Sequence, residues 1–490
     1  MMADGKAATE RETTYRHRAE AARPLSVAVV GGGVSGAAVA IHLARLGAGP
    51  LDLHIVEPRH RLGYGLAYDT AEPANRVNVP STRLSLFAAD PDHFDRWLKT
   101  ANALADDPEA TLADGRCYAR RRTFGRYVEA TLQQALAAQP EIALSHHAAS
   151  AVQAEAQGSR YRLLLDDGSA LTADILVLAS GHPPPAPPDL LALLAGHPRY
   201  LTDPWADEAL NRIRPDDRVI VIGTGLTMAD IVAALERRGH RGSILAVSRR
   251  GLLSRGQAEG TCEAFGDFAA APCTSALALL RKVRAVVAEA EAAGRPWQAV
   301  FDAVRRDAQR QWAALPPAER RRLLRWLRPW WDAHRYRTPP QVQHLLDRLL
   351  AEGRLAVRRG HLAGAAHKGE TIALELRHGD ALTSVEADAL VVATGPAPQA
   401  MIEGSPLLSS LAAAGLIAAD PLGLGLATDR ESRALGQGGR PCDTLLVAGP
   451  LARGTFGELV GVPQVSAQAE AIAARIRHLL GPGATKDLPH

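Results

Sequence analysis

Aromatic residues make up only 4% of the 490-residue chain, so a core of any size must be built from Ala, Leu and Val. Cysteine is equally scarce. Cys117, Cys262, Cys273 and Cys442 have neither the two-residue spacing of zinc and dithiol sites nor an even disulfide framework, which excludes a disulfide reductase working through a close redox pair. They read as reduced, intracellular and mostly buried. Charge of one sign is lacking as well: 56 basic against 53 acidic residues leave +3, too little for a surface built to hold nucleic acid or anionic lipid. Long apolar runs are missing, since the longest weakly polar stretch, Ser26 to Ala44, contains Gly31, Gly32, Gly33, Gly36 and His42. Residues 1–24 mix both charges without an apolar stretch and read as a mobile tail and not as a signal peptide. The expectation is a cytoplasmic protein with no membrane, nucleic-acid or metal partner. His146-His147 has no spaced partners that would make a metal site.

The chain is, by contrast, rich in glycine punctuation. From Ser26 the text SVAVVGGGVSGAAVAIHLARLG reads as strand, tight turn and helix, and a second strand, Leu51 to Val56, ends in Glu57. In Gly31-x-Gly33-x-x-Gly36 the first glycine permits the turn, the second lets a pyrophosphate approach the backbone, and the third allows close helix packing. The helix N-terminus adds amide donors, and Glu57 at the strand end suits the hydroxyls of an adenosine ribose. The same grammar returns as RVIVIGTGLTMADIVAALERRG and SILAVSRRG, with strands at Val219 to Ile222 and Ile244 to Val247 and a helix from about Leu226 to Arg238. Here Gly223 and Gly225 keep their places, with Thr227 in the helix start, while Met228 replaces the third glycine. Ser248, Arg249 and Arg250 replace the acid, which selects the 2′-phosphate of NADPH over NADH.

A fuller resemblance is carried by LGYGLAYDTAEPANRVNVPSTRLSLFAADPDHFDRWL after Glu57, the GTGLTMAD turn, SRRGLLSR, WWDAHRYRTPP and the closing GPLARGTFGE. These segments resemble the bacterial FAD/NAD(P)-binding oxidoreductases, whose broader relatives are the flavin-dependent N-hydroxylating monooxygenases and whose members include nitrosuccinate synthase-like enzymes. The likeness runs from Pro24 over nearly the whole chain. It implies an FAD enzyme that takes hydride from NADPH and, with molecular oxygen, N-oxidises the amino group of a small polar amine or amino acid. Two alternatives stand beside it: a flavin-dependent dehydrogenase or reductase without oxygenation, and a non-catalytic nucleotide-binding protein. By position, Gly31, Gly33, Ser35, Gly36 and Glu57 would hold the ADP half of FAD. Gly63, Gly65 and Tyr68 would pass near the pyrophosphate and ribityl chain, and Asn78, Val79 and Pro80 would lie along the flavin ring. Gly449, Pro450, Thr455 and Phe456 would close over the ring. Two positions depart from the family pattern. Pro450 stands where relatives carry an acid for the ribityl chain, and Gly457 stands where they carry a tryptophan, whose loss would widen the site or uncover the flavin face.

The expected fold class is α/β, with two dinucleotide-binding, Rossmann-like domains, the second inserted in the first, and a helical insertion. Residues 25–205 would begin the FAD domain, 206–380 would form the NAD(P)H domain with helices over 275–352, and 381–490 would complete the FAD domain and its first sheet. Within ERRRLLRWLRPWWDAHRYR, Leu323, Trp326, Leu327, Trp330 and Trp331 recur at helical spacing and are expected to pack on a neighbouring domain. A cleft-facing part with Asp332, His334, Arg335 and Arg337 would orient an anionic substrate. Arg335 and Arg337 reach one ligand only if the helix has ended. Catalytic candidates are therefore Asn78, His334 and Arg335, and substrate candidates are Arg76, Arg83, Arg337 and Arg453.

Overall fold

The computed structural model describes residues 24–480 apart from 48, 184, 186, 207 and 396–399, so the expected tail lies outside the described residues except for Pro24. Strand β1 (Leu25–Val30) runs into helix α1 (Val34–Arg45) and returns as strand β2 (Leu51–Val56), parallel to β1 in register Leu25 to Leu51. The β-branched run of β1 is buried from Ser26 onward, and α1 is buried along nearly its whole length because its Ala-rich surface lets neighbouring elements approach closely. Six strands form this first sheet, in the order Arg433–Leu435, Pro441–Val447, Ile175–Leu178, β1, β2, Ile142–His147, parallel except at the Arg433–Leu435 edge. Helix α1 lies against the C-terminal helix Val462–Leu479, whose Ile472, Ala473 and Ile476 join the same core as Val27, Ile41 and Leu53. Each fully buried Val, Leu or Ile side chain contributes about 1.5–3 kcal/mol.

The second glycine text folds as its pattern predicts: strand β3 (Val219–Ile222), helix α2 (Leu226–Arg237) and strand β4 (Ile244–Ser248). Its five-stranded sheet is wholly parallel, in the order Leu355–Arg359, β4, β3, Ala389–Val392, Tyr200–Leu201. Two expected boundaries move here. Ala389–Val392 pairs with β3 and so completes the second sheet; the first sheet is completed by Pro441–Val447 alone of the two late buried strands. Tyr200–Leu201 also belongs to the second sheet, so the inserted domain begins before residue 206 and extends past 380. The reason is a duplicated layout. ILVLASG and ALVVATG are equivalent strands, each ending beside the glycine turn of its own sheet, and an antiparallel three-stranded sheet over 361–387 separates β4's neighbour from the second of them.

The insertion is helical as expected, from Ala276–Ala292 through helix α3 (Trp297–Arg306) and helix α4 (Arg328–Arg335) to Pro340–Ala351. Its tryptophan stripe does not pack as one face. Leu323–Leu327 forms a π-helical turn, and the wider turn rotates α4 relative to the preceding helix, so that Trp331 stacks on Phe301 at 5.8 Å while Trp326 and Trp330 are 56% and 47% exposed.

Candidate active site

The two glycine turns are near copies in three dimensions. Gly31 has φ +104° and Gly223 φ +127°, and a Cβ on either would collide with the carbonyl oxygen ending the adjacent strand, that of Ala179 or Ala393. Gly33 and Gly225 are the N-caps of α1 and α2, both in extended conformation, so the first amides of each helix have no intrahelical partner. Gly36 is packed so closely that a Cβ would meet the Gly31 carbonyl. At its counterpart, Met228 is 1% exposed and belongs to the same core as Ile231, Leu235 and Val219.

Two glycines from different segments meet beside the first turn. Gly65, at φ +55°, faces Gly33 so that a Cβ on either would lie 3.2 Å from the other's Cα. Gly63, at φ +93°, is fixed by its amide donating to the Gly32 carbonyl at 2.7 Å and leaves no room for a Cβ beside Val128. Glu57 is 4% exposed; its Oε2 accepts from the Gly32 amide at 2.9 Å and its Oε1 from Arg59 Nη1 at 2.9 Å. These bonds hold the carboxylate at the end of β2, beside the turn. Ser35 is buried against Gly449, whose amide donates to Gln468 Oε1 at 2.7 Å. These residues fit the adenylate and pyrophosphate of FAD.

The flavin-side segments are built less openly. Tyr68 packs on Phe124 at 4.7 Å, and burial raises its hydroxyl to about 12. Val79 is partly buried against the first core, and the Asn78 carbonyl accepts from Gln257 Nε2 at 2.6 Å, which ties the segment expected along the ring to the loop after β4. Gly449-Pro450 opens a short 3-10 turn, Thr455 Oγ1 donates to the Thr428 carbonyl at 2.7 Å, and Phe456 packs on the second core of the same domain. The widening expected at Gly457 is a correction, because Trp312 of the insertion occupies the space. A Cβ on Gly457 would lie 2.6 Å from the Trp312 Cγ, and the indole Nε1 donates to the Gly454 carbonyl at 2.9 Å.

At the second turn Thr224 Oγ1 lies 2.9 Å from Ser248 Oγ and 2.5 Å from the Leu252 carbonyl, and the Gly251 amide donates to Ser248 Oγ at 3.0 Å. Ser248 thus braces its own loop. Arg249 and Arg250 are exposed beside it, and Thr227 is half-buried in the first turn of α2.

The arginine and histidine candidates separate sharply. Arg76 is a correction: it is 5% exposed and its guanidinium is spent on both oxygens of Asp107, at 3.0 and 2.9 Å, and on the Tyr118 carbonyl, so it holds the fold and is not free for a substrate. His334 is a second. Its Nδ1 is 2.7 Å from the Trp330 carbonyl and its ring stacks on Phe301 at 4.9 Å, so it faces the aromatic side of the insertion, while Arg335 one residue later points the other way. Helix α4 does end at Arg335, yet Arg335 and Arg337 turn to different carboxylates and share no target. Arg335 donates to Glu458 Oε1 through Nε at 3.1 Å and Nη2 at 2.6 Å; Arg337 pairs with Asp302, which also takes Arg83 at 2.8 Å.

Arg453 uses Nε on the Gly457 carbonyl at 3.2 Å. Its charge bears on Asp332 and Tyr336, both of which burial raises. His182 comes just after the strand that ends beside Gly31, and nothing in the sequence distinguishes it or Arg305 from ordinary surface residues. Asp332 Oδ1 is buried without a partner.

Residues 28–183 match a family model described as FAD-NAD(P)-binding. No curated protein matches the chain at the level of sequence. Among solved structures, it is similar to the reduced form of ornithine hydroxylase from Pseudomonas aeruginosa, with TM-score 0.64 and 17% identity over 94% of this chain and 100% of that one. It is also similar to L-lysine 6-monooxygenase from Pseudomonas syringae, with TM-score 0.61 and 20% identity over 92% and 99% of the two chains. A third likeness is to a cadaverine monooxygenase bound to FAD from Erwinia amylovora, with TM-score 0.60 and 14% identity over 92% and 94%. The segment 28–183 is therefore similar to FAD-NAD(P)-binding domains, and the chain as a whole has the two-domain fold of these amine hydroxylases.

Proposed function

We propose that the protein is an FAD-dependent, NADPH-consuming monooxygenase that N-oxidises the amino group of a small polar amine or amino acid. The observation that carries this reading is the pair of equivalent glycine turns with opposite charge at their neighbouring strand ends: Glu57 at the first, Arg249 and Arg250 at the second. The first suits an unphosphorylated adenosine ribose, as in FAD, and the second a 2′-phosphate. The fold of ornithine, lysine and cadaverine hydroxylases supports the choice of reaction.

Bound FAD supplies hydride acceptance from NADPH and, once reduced, reaction with molecular oxygen. The chain's own residues do the rest. Gly31, Gly33, Gly63 and Gly65 admit the pyrophosphate, and Glu57 orients the ribose. Gln257, held to the Asn78 carbonyl, fixes the nicotinamide-side loop over the flavin segment. Trp312, buried beneath Gly454 and Gly457, closes the far wall against water. Asp332, half-buried and paired through Oδ2 with Arg328 Nε at 3.4 Å, keeps a buried Oδ1 that offers an acceptor for a proton released by the amine.

The test is direct. Purified protein should be yellow, and NADPH loss should rise only when oxygen and an amine substrate are both supplied, with a product 16 Da heavier per oxygen inserted, a mass fixed by the atom itself and of the kind about one N–OH adds. NADPH loss that persists anaerobically with an artificial acceptor, and no hydroxylated product, would select the dehydrogenase reading instead.

A further inference from the structure

Two large apolar side chains stand in solvent on a face of the insertion that is otherwise rich in arginine. Trp326 and Trp330 are 56% and 47% exposed, and they are the only exposed members of the chain's seven tryptophans. The cause is local. The π-helical turn Leu323–Leu327 closes its hydrogen bonds one residue further along than an α-helix does, and in α4 beyond it Trp331 finds Phe301 while Trp330 is left outside. Single exposed apolar residues are ordinary, but two indoles four residues apart form a patch of the kind that meets a partner.

The charge around them is of one sign. Between Pro317 and Arg335 the sequence places six arginines against two acids, Glu319 and Asp332. Both acids are taken: Glu319 by Arg322 at 2.7 Å and by the Ala276 amide at 2.9 Å, Asp332 by Arg328 at 3.4 Å. Arg321 and Arg325 are exposed and form no ion pair among the described residues. The Arg325 guanidinium carbon lies 4.9 Å from the centre of the Trp326 ring, so cation and apolar surface are presented as one unit. The bond from Ala276 to Glu319 also brings up the start of the helix Ala276–Ala292, whose exposed residues include Leu277, at 54%, with Arg281 and Arg284. The overall charge of +3 hides this face, because it averages it with the rest of the surface.

A second copy of the chain is a poor cover for such a face, since a twofold contact would set Arg321 and Arg325 against their own copies. A single strand of nucleic acid stacks its bases on open rings along a basic groove, whereas Arg325 already lies over the Trp326 ring. An anionic bilayer takes the set as it stands. Indole and leucine side chains enter the boundary between headgroups and acyl chains, and guanidinium groups pair with lipid phosphates. We propose that Trp326, Trp330 and Leu277, with Arg321, Arg322 and Arg325, dock the protein peripherally on an anionic phospholipid surface. Among the described residues no helix is long and apolar enough to cross a membrane, and docking of this kind needs none. It is also independent of the N-oxidation chemistry.

The FAD-loaded protein is sedimented with vesicles of phosphatidylcholine alone and of phosphatidylcholine with phosphatidylglycerol at two to one. Binding to the anionic vesicles should be at least tenfold tighter. It should weaken tenfold or more between about 0.1 M and about 1 M salt, which shortens the screening length from about 10 Å to about 3 Å. The double variant Trp326→Ala, Trp330→Ala and the triple variant Arg321→Gln, Arg322→Gln, Arg325→Gln should each lose tenfold or more, with flavin content and thermal midpoint unchanged. Should a variant fail to fold, tryptophan emission of the unaltered protein on vesicles with brominated acyl chains decides, because only inserted indoles are quenched. No sedimentation, equal binding to both vesicles, unquenched emission, or unchanged binding in both variants would each overturn the proposal. So would a dimer in vesicle-free solution that the tryptophan variant abolishes, which assigns the face to a second copy. An oligonucleotide that displaces the protein from vesicles and loses affinity in the same variants would overturn it in favour of nucleic acid.

Discussion

Trp312 and Gly457 are complementary parts of one wall. Gly457, at φ +74°, can carry no side chain without striking the indole, whose Nε1 is anchored on the Gly454 carbonyl at 2.9 Å. A helical insertion thereby fills a space in the flavin-domain loop from outside it. Trp312→Ala is expected to cost about 3–5 kcal/mol, the range for deleting a large buried aromatic. Urea unfolding of the FAD-loaded protein checks this. Gly457→Ala should also destabilise, because its backbone lies in the left-handed region and its Cβ would meet Trp312; an unchanged midpoint for both would show that the wall does not exist.

Arg249 and Arg250 are exposed, so their removal should not disturb folding. If they hold a 2′-phosphate, each lost charge-assisted hydrogen bond costs about 1.5–3 kcal/mol, or roughly a tenfold to hundredfold rise in the KM for NADPH. Steady-state kinetics of Arg249→Ala and Arg250→Ala with NADPH and NADH should show a loss confined to NADPH. Equal losses with both cofactors would mean that the arginines serve another purpose.

The sequence makes legible what is dictated locally. Gly31 and Gly223 need a left-handed backbone whatever surrounds them, and the strands and helices beside them lie within a few residues, so both nucleotide units can be read from the text. Features that depend on distant packing cannot. Arg305 sits in an amphipathic stretch, WQAVFDAVRR, that reads as one buried and one solvated face; its burial depends on Gln464 and Gly461, far along the chain. Arg76 likewise reads as a free cation until Asp107 is seen beneath it. The boundary at residue 380 fails because two equivalent strand texts, ILVLASG and ALVVATG, belong to different sheets, and only pairing tells which.

Asp230 of α2 and Arg121 link the two nucleotide domains through a bond of 2.7 Å. Burial outweighs the arginine and raises Asp230 to about 6, above its ordinary value of 3.8. The folded protein therefore holds this proton more tightly than the unfolded chain does. Its contribution is fully present below about pH 4, is lost as pH rises toward about 6, and changes no further above that. Relative to Asp230→Asn, the unaltered protein should lose on the order of 2–3 kcal/mol of stability across that window, measured by denaturant titration at pH 4, 5, 6 and 7. A difference that grows in the opposite direction would mean that the ion pair with Arg121 dominates and that Asp230 is ionised throughout.

Gly225 and Gly223 allow the two uses of glycine to be separated in one turn. Gly223 has φ +127° and no room beside Ala393, so Gly223→Ala should unfold the second domain or prevent its expression in soluble form. At Gly225 the backbone is extended and an added Cβ would have no protein atom within 4 Å, so Gly225→Ala should leave the thermal midpoint within about 2–4 °C, the shift expected of a change near 1 kcal/mol. The added methyl group would nevertheless stand where a pyrophosphate must approach the start of α2. The expected result is a protein of full flavin content and near-normal stability, with a KM for NADPH raised tenfold or more and no change in the affinity for FAD. An unaltered KM would mean that no phosphate passes over Gly225, and the second turn would then be a retained fold without its ligand.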